Sequence, residues 1–122
     1  MSQQTNKLEY PRAYPKHKVE PTLTVFRAVV ANREPRDVLA LGKEYNLALT
    51  VFESSGGYEE NGQYLVEESI TFETAAYTSD NFRAVVVRLL NFGPVENFAY
   101  FTVDGKNPVL ITRNGREKAI DN

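Results

Sequence analysis

Apolar and polar residues alternate in several short runs of the chain, which is the spacing of a β-strand with one covered face. The first run, residues 22–31 (TLTVFRAVVA), is rich in β-branched and aromatic residues. Residues 47–53 (LALTVFE) and 64–75 (YLVEESITFETA) have the same character, and the glycine-rich segment 54–63 connects them. The pattern therefore predicts one strand near the start and a long β-hairpin further along.

Two segments carry apolar residues at helical spacing instead. The first begins at Pro35, a residue suited to the first turn of a helix, and is predicted to end near Tyr45. The second is predicted over residues 79–92, where Gly93 and Pro94 then signal a stop. Five of its apolar residues fit one helical face, and these are Phe82, Val85, Val86, Leu89 and Leu90. Both helices can therefore bury one face.

Three shorter apolar runs follow the second helix, at residues 97–103 (NFAYFTV), 109–112 (VLIT) and 117–120 (EKAI). An Asn-Gly pair, typical of a two-residue hairpin turn, separates the last two. The element order is then βαββαβ with an added C-terminal β-hairpin. Because both helices can cover the same side of one antiparallel sheet, this order predicts an α+β sandwich of the ferredoxin-like type. A different α+β roll with the same order is the alternative.

Residues 1–21 differ from the rest of the chain, because they hold three prolines and show no apolar periodicity. Proline removes a backbone donor and disfavours helix in the residue before it, so we expect an irregular, extended, basic arm. Residues 22–122 are then predicted to form a single α+β domain. Tyr10 and Tyr14 are candidates to anchor the arm on a partner, and His17 is predicted to be a surface residue.

Composition narrows the range of functions. The 122 residues include no cysteine, which excludes disulfides, thiolate catalysis and cysteine metal sites. Metal-ligand spacing is lacking too, so we expect neither a metal nor a cofactor. No apolar run reaches the roughly 20 residues that span a bilayer, and the start of the chain lacks the apolar segment of a secretory signal. These features predict a cytoplasmic protein, in the host cytoplasm if the source is viral, without a membrane partner.

Charge is distributed unevenly, although the net charge is only −2. Residues 1–36 hold seven basic and three acidic residues, residues 37–80 one and nine, and residues 81–122 six and four. Because phosphate binding needs a basic surface, the acidic middle segment argues against nucleic acid. An acidic surface suits a partner with a basic face, so a protein partner or a homo-oligomer is predicted. A solvated surface of uneven composition is the alternative.

Two predicted strands each carry a charge among apolar residues of one face. Alternation puts Glu68 in register with Ile70 and Phe72 on the third strand, and Arg27 in register with Val29 on the first. Because these strands are neighbours in a ferredoxin-like sheet, we predict an Arg27–Glu68 ion pair at the edge of the core. The substitution Glu68→Ala is then expected to cost about 2–4 kcal/mol, since it leaves the arginine unpaired.

The sheet face without helices is predicted to bind the partner. Phe26 and Phe52 fall on this face as candidate apolar anchors, beside the carboxylate of Glu67. The hairpin tip adds three candidate contacts, which are Tyr58, Glu59 and Glu60. Exposed aromatic residues on a sheet are typical of RNA-binding modules as well, but the acidic neighbours oppose that reading. The alternative is that the arm or the C-terminal strands cover this face.

Residues 49–72 (LTVFESSGGYEENGQYLVEESITF) carry a short motif. They resemble a pattern in small ferredoxin-like proteins, where glycine and an aromatic residue follow one strand and Glu-x-Ser opens the next. The matching positions are Gly56 or Gly57 with Tyr58, then Gly62, Glu67 and Ser69. The chain also resembles short ferredoxin-like accessory proteins of bacteriophages. The resemblance covers about a fifth of the chain. It implies the fold and a viral source, and no activity.

These observations favour a non-enzymatic, protein-binding accessory factor, encoded by a phage and acting on a host protein through its acidic hairpin and open sheet face. One alternative is a virion or assembly subunit that uses the N-terminal arm. The other alternative is a small-molecule-binding or enzymatic ferredoxin-like domain. Its site would combine Glu53, Glu68 and Arg27 in a cleft, with two carboxylates available for acid–base chemistry.

Overall fold

A computed structural model describes residues 22–93 and 95–120 of the protein. The elements are β1 (Thr24–Ala31), α1 (Pro35–Glu44), β2 (Thr50–Glu60), β3 (Gln63–Ala76), α2 (Asp80–Leu90), β4 (Phe98–Val103), β5 (Lys106–Thr112) and β6 (Glu117–Ala119). The predicted arm lies outside the described residues, and so do Tyr10, Tyr14 and His17.

The six strands form one antiparallel sheet in the order β2-β3-β1-β4-β5-β6. The first four strands and the two helices have the order of a ferredoxin-like βαββαβ fold, and β5 and β6 extend the sheet beyond β4. The fold prediction, including the added C-terminal hairpin, is confirmed. Both helices lie against the same face of the sheet, where their apolar sides join one buried cluster.

Phe82 on α2 lies at the centre of that cluster. It is fully buried, and its ring lies 6.2 Å from that of Phe26, 5.2 Å from that of Phe72 and 6.0 Å from that of Phe101, measured between centroids. These partners come from β1, β3 and β4, so one helical side chain ties three neighbouring strands together. Aromatic contacts at such distances add to the free energy gained by burying the rings.

The buried face of β1 is the opposite of the one predicted. Phe26, Ala28 and Val30 point to the helices and are buried, whereas Arg27 points to the open face. The prediction that Phe26 is an anchor on the open face is therefore wrong. Both faces of this strand carry apolar residues, and the pairing of β1 with β3 determines which face is buried. In that pairing Ala28 lies opposite the buried Phe72.

The predicted Arg27–Glu68 ion pair is wrong for the same reason. Arg27 lies directly opposite Glu73 on β3, and its Nη2 is 3.2 Å from the carboxylate Oε1 of that residue. Glu68 points to the other face, beyond the end of β1, and is exposed. Because half of the Arg27 side chain is exposed, the observed pair is a surface pair of small energetic weight.

We therefore expect Glu68→Ala to change the free energy of unfolding by less than about 0.5 kcal/mol, because no buried partner is left behind. Urea denaturation of the variant and of the wild-type protein measures this difference. A loss of 2 kcal/mol or more would contradict the observed register and restore the predicted pair.

β2 and β3 form a hairpin that is longer than predicted. The segment 54–63 is not a loop: the strands run to a turn of only two residues, Asn61 and Gly62, which have φ of 54° and 79°. Two positive φ angles define a type I′ turn, the connection that suits the twist of a hairpin. Since β1 pairs with β3 only from Ser69 onwards, residues 55–68 project past β1 as a two-stranded ribbon.

Candidate functional site

A groove of about 600 Å³ lies on the open face of the sheet, at the end where β1 stops and the ribbon continues. Its size is that of a small-molecule site. Five strands, β1 to β5, and the segment before β4 line it, through Val29, Ala31, Gly56, Gly57, Tyr58, Glu67, Ser69, Glu96, Asn97, Phe98, Tyr100 and Leu110.

The ribbon forms one wall of the groove. Glu67 on β3 lies directly opposite Gly56 on β2, and both are on the open face of the ribbon. A Cβ atom added at Gly56 would meet no other atom within 4 Å, so this glycine leaves free space beside the carboxylate. Below it, the hydroxyl of Ser54 is 2.8 Å from that of Ser69 and 2.9 Å from that of Thr71. These hydrogen bonds link β2 to β3 at the base of the ribbon.

The other half of the groove is apolar and aromatic. Tyr100 on β4 is flanked by Val29 on β1 and Leu110 on β5, with which it is paired in register. Phe98 lies two residues earlier on the same face, and both rings are more than 40% exposed. Two accessible rings on a flat sheet offer a stacking surface for a planar group.

The charged side chains that line the groove are both acidic. Glu67 and Glu96 are both half-buried, and the lining contains no lysine or arginine among the described residues. The Glu96 carboxylate accepts a hydrogen bond from Nδ2 of Asn32 at 2.9 Å. In the described part of the chain the Glu67 carboxylate has neither a hydrogen bond nor an ion pair. Such a groove favours a ligand with a positive charge and an apolar or aromatic body.

The predicted partner contacts lie in different places. Tyr58 and Glu67 line the groove, whereas Phe52 is on the open face outside it and is 42% exposed. Glu59 and Glu60 are exposed at the ribbon tip. That these residues bind a protein partner stays a prediction, as does a homo-oligomer.

The structure does not bring together the three residues of the predicted enzymatic site. Arg27 is on the open face, whereas Glu53 lies opposite Ile70, and Glu53 and Glu68 both point to the helix side. None of the three lines the groove. Glu96 could not be predicted as a site residue, because it lies in an irregular segment and has no motif around it.

The described residues contain neither a candidate metal site nor a helix that could span a membrane. No group of three side chains that could hold a metal ion occurs within residues 22–93 and 95–120. Neither of the helices in these ranges has the length and apolar character that crossing a membrane requires.

Comparisons with known proteins identify the fold. A scan of known protein families and a search of curated proteins gave no match. Among solved structures, a phage SAM lyase in complex with S-methyl-5'-thioadenosine is similar, with a TM-score of 0.54 and 15% identity over 81% of this chain and 96% of that one. A complex of GlnK from B. subtilis with ATP has a TM-score of 0.51 and 16% identity over 84% and 97%.

These likenesses show a shared fold, and one of the proteins that share it is a phage protein. They also contradict the prediction of a non-enzymatic accessory factor, because the phage SAM lyase is an enzyme. The prediction assumed that an open sheet face without histidine or cysteine cannot form a catalytic site. The face instead carries a ligand-sized groove with two carboxylates.

Proposed function

We propose that the protein is an enzyme that binds S-adenosylmethionine (SAM) in the groove and cleaves it. The observation that carries the proposal is the lining: two carboxylates and two aromatic rings, with no described lysine or arginine. The two similar structures hold ligands that share an adenosine group, a thioether in one and a triphosphate in the other. An acidic groove repels the triphosphate and attracts SAM, which carries a sulfonium and an ammonium group.

The proposed pose follows from the arrangement of the side chains. Adenine stacks on Phe98 and Tyr100, and the ammonium group lies against the carboxylate of Glu67, which has no partner among the described residues. The sulfonium then lies between them, over the apolar floor of Val29 and Ala31. Gly56 leaves room for the aminocarboxylate chain beside Glu67.

The proposed reaction needs no water and no external base. The substrate's own carboxylate attacks the γ-carbon of its chain, the bond from that carbon to sulfur breaks, and the electron pair goes to sulfur. The products are a neutral thioether, S-methyl-5'-thioadenosine, and a cationic amino-lactone, so atoms and charge balance. Because a positive and a negative charge disappear, a floor that excludes water favours the step. The ammonium keeps its charge throughout, so Glu67 can hold and orient the chain from start to finish.

The experiment that tests the proposal measures release of the thioadenosine from SAM by chromatography. We expect turnover by the wild-type protein and a roughly 10- to 100-fold lower kcat/KM for Glu67→Gln, which removes the charge and keeps the shape. Glu53→Gln is the matched control, since this exposed carboxylate points to the other face of the neighbouring strand. It should act like the wild type.

Two results would overturn the proposal. One is a wild-type protein that neither binds nor cleaves SAM in titration calorimetry and chromatography. The other is equal activity of the Glu67→Gln and wild-type proteins, which would move the ammonium site away from this carboxylate. Tighter binding of ATP than of SAM would favour nucleotide sensing instead.

A further inference from the structure

Asn32 connects three parts of the molecule beside the groove, next to the lining residues Ala31 and Glu96. It follows β1 directly and has φ of 58°, a left-handed conformation that turns the chain sharply. Its backbone N–H donates to the carbonyl oxygen of Glu68 at the ribbon base, at 3.1 Å. Its side-chain amide donates to Oε2 of Glu96 at 2.9 Å. Its own carbonyl accepts from Nη1 of the buried Arg33, at 3.0 Å.

The buried Arg33 fixes this connection from below. Its Nε donates to the carbonyl oxygen of Leu89 in the last turn of α2, at 2.8 Å. A cation at that position adds a second hydrogen bond to a carbonyl of the helix end, which also accepts from the backbone N–H of Phe92, and interacts well with the helix dipole. Asn32 is therefore anchored to the core through the residue next to it. Its amide can hold Glu96 in one orientation, with the second oxygen of the carboxylate left for a ligand.

The order of the groups along an adenosyl ligand then indicates which of them lies next to Glu96. Glu96 lies two residues before Phe98, at the aromatic end of the groove, and Glu67 lies across the gap where β1 has ended. Two strand spacings, roughly 10 Å, separate the strand that carries Glu67 from the line of β4. A ligand whose adenine stacks on Phe98 and whose ammonium reaches Glu67 must place its ribose between them, on the side of Glu96.

We infer that Glu96, held by Asn32, accepts hydrogen bonds from the ribose hydroxyls and makes the protein selective for ribonucleosides over deoxyribonucleosides. The inference rests on the proposed function, because it takes the ligand to be adenosyl. A carboxylate is a good acceptor for a sugar hydroxyl, as in dinucleotide-binding folds. A site built to pair with a hydroxyl rejects the analogue that lacks it, since its own polar group is left unpaired. Asn32 is a positioning residue in this scheme.

Calorimetric titration with two probes tests the inference. The probes are 5'-methylthioadenosine and its 2'-deoxy form, which differ by one hydroxyl. We expect the wild-type protein to bind the ribose form at least about tenfold more tightly, since the hydrogen bond is to a charged acceptor. Glu96→Gln and Asn32→Gly should each reduce this ratio to about threefold or less.

Asn46→Gly is the matched control for Asn32→Gly. Asn46 is also an exposed asparagine with a positive φ, 56°, but it follows α1 rather than β1, and the asparagine that donates to Glu96 is Asn32. Glycine keeps the left-handed backbone at both positions and removes only the amide. Asn46→Gly should keep the wild-type ratio, and the ratio is a readout that a general loss of stability does not change.

The possible failures are distinguishable. If the wild-type protein binds neither probe and neither binds nor cleaves SAM, the proposed function fails and this inference fails with it. If it binds SAM but neither probe, only this inference is overturned. If it binds both probes equally, or if Glu96→Gln keeps the preference, the inference is overturned while the proposed function stands. If only Asn32→Gly keeps the preference, the positioning role of Asn32 is overturned.

Discussion

Replacing Phe82 by alanine is expected to lower the free energy of unfolding by about 3–5 kcal/mol, because the change removes a fully buried ring and leaves a cavity. The ring contacts three other phenylalanines, one from each of β1, β3 and β4, and these strands cannot close around the space without moving relative to one another. Guanidinium denaturation followed by circular dichroism measures the change as a shift of the midpoint.

Phe92→Ala is the control for this substitution. Phe92 follows α2 and is 54% exposed, so its removal should cost less than about 0.5 kcal/mol. A loss below about 1.5 kcal/mol for Phe82→Ala would show that the ring is not the centre of the core and would put the packing of α2 on the sheet in question.

Replacing Gly56 by leucine is expected to weaken SAM binding about 100-fold or more, with little change in stability. The Cβ position at Gly56 is open and lies beside Glu67 in the groove, so a large side chain would occupy the place of the aminocarboxylate chain. The φ angle of Gly56 is not positive, so the backbone accepts a side chain without strain. Calorimetric titration with SAM, and urea denaturation of the same sample, separate the two effects.

Ser55→Leu is the matched control, because Ser55 is the adjacent residue of the same strand and lies opposite Glu68 on the other face. It should bind SAM like the wild type. Normal binding by Gly56→Leu, in a protein with unchanged unfolding, would place the ligand outside the groove and would contradict the proposed pose.

The helices, and the order of helices and strands along the chain, could be predicted because the sequence pattern of each element is local. The buried apolar residues of α2 follow the i, i+3, i+4 spacing of one helical face. Which face of β1 is buried could not be predicted, since apolar residues occupy both odd and even positions from Val25 to Ala31. A shift of one residue moves every side chain to the other face, and only the pairing with β3 makes the choice.

The ribbon and the groove depend on contacts between distant residues. Glycine and, to a lesser degree, glutamate are depleted in strands, so the sequence of residues 54–60 is typical of a loop, although these residues pair with 63–69 in the fold. Tyr58 and Glu67 could be singled out as exposed residues of the hairpin. Glu96 and Asn32 could not, because they come together only when the fold places the end of β1 beside the segment before β4.

Alternate residues of β1 lie in two different environments. Phe26, Ala28 and Val30 are in the core, whereas Val29 and Ala31 line the groove. Consecutive positions of one strand thus experience separate selective constraints. Mutations at the odd positions can alter the floor that meets a ligand while the even positions keep the helices in place. Such a scaffold can acquire a new specificity by point mutation at little risk to folding, and laboratory evolution would best begin by randomising those alternate positions.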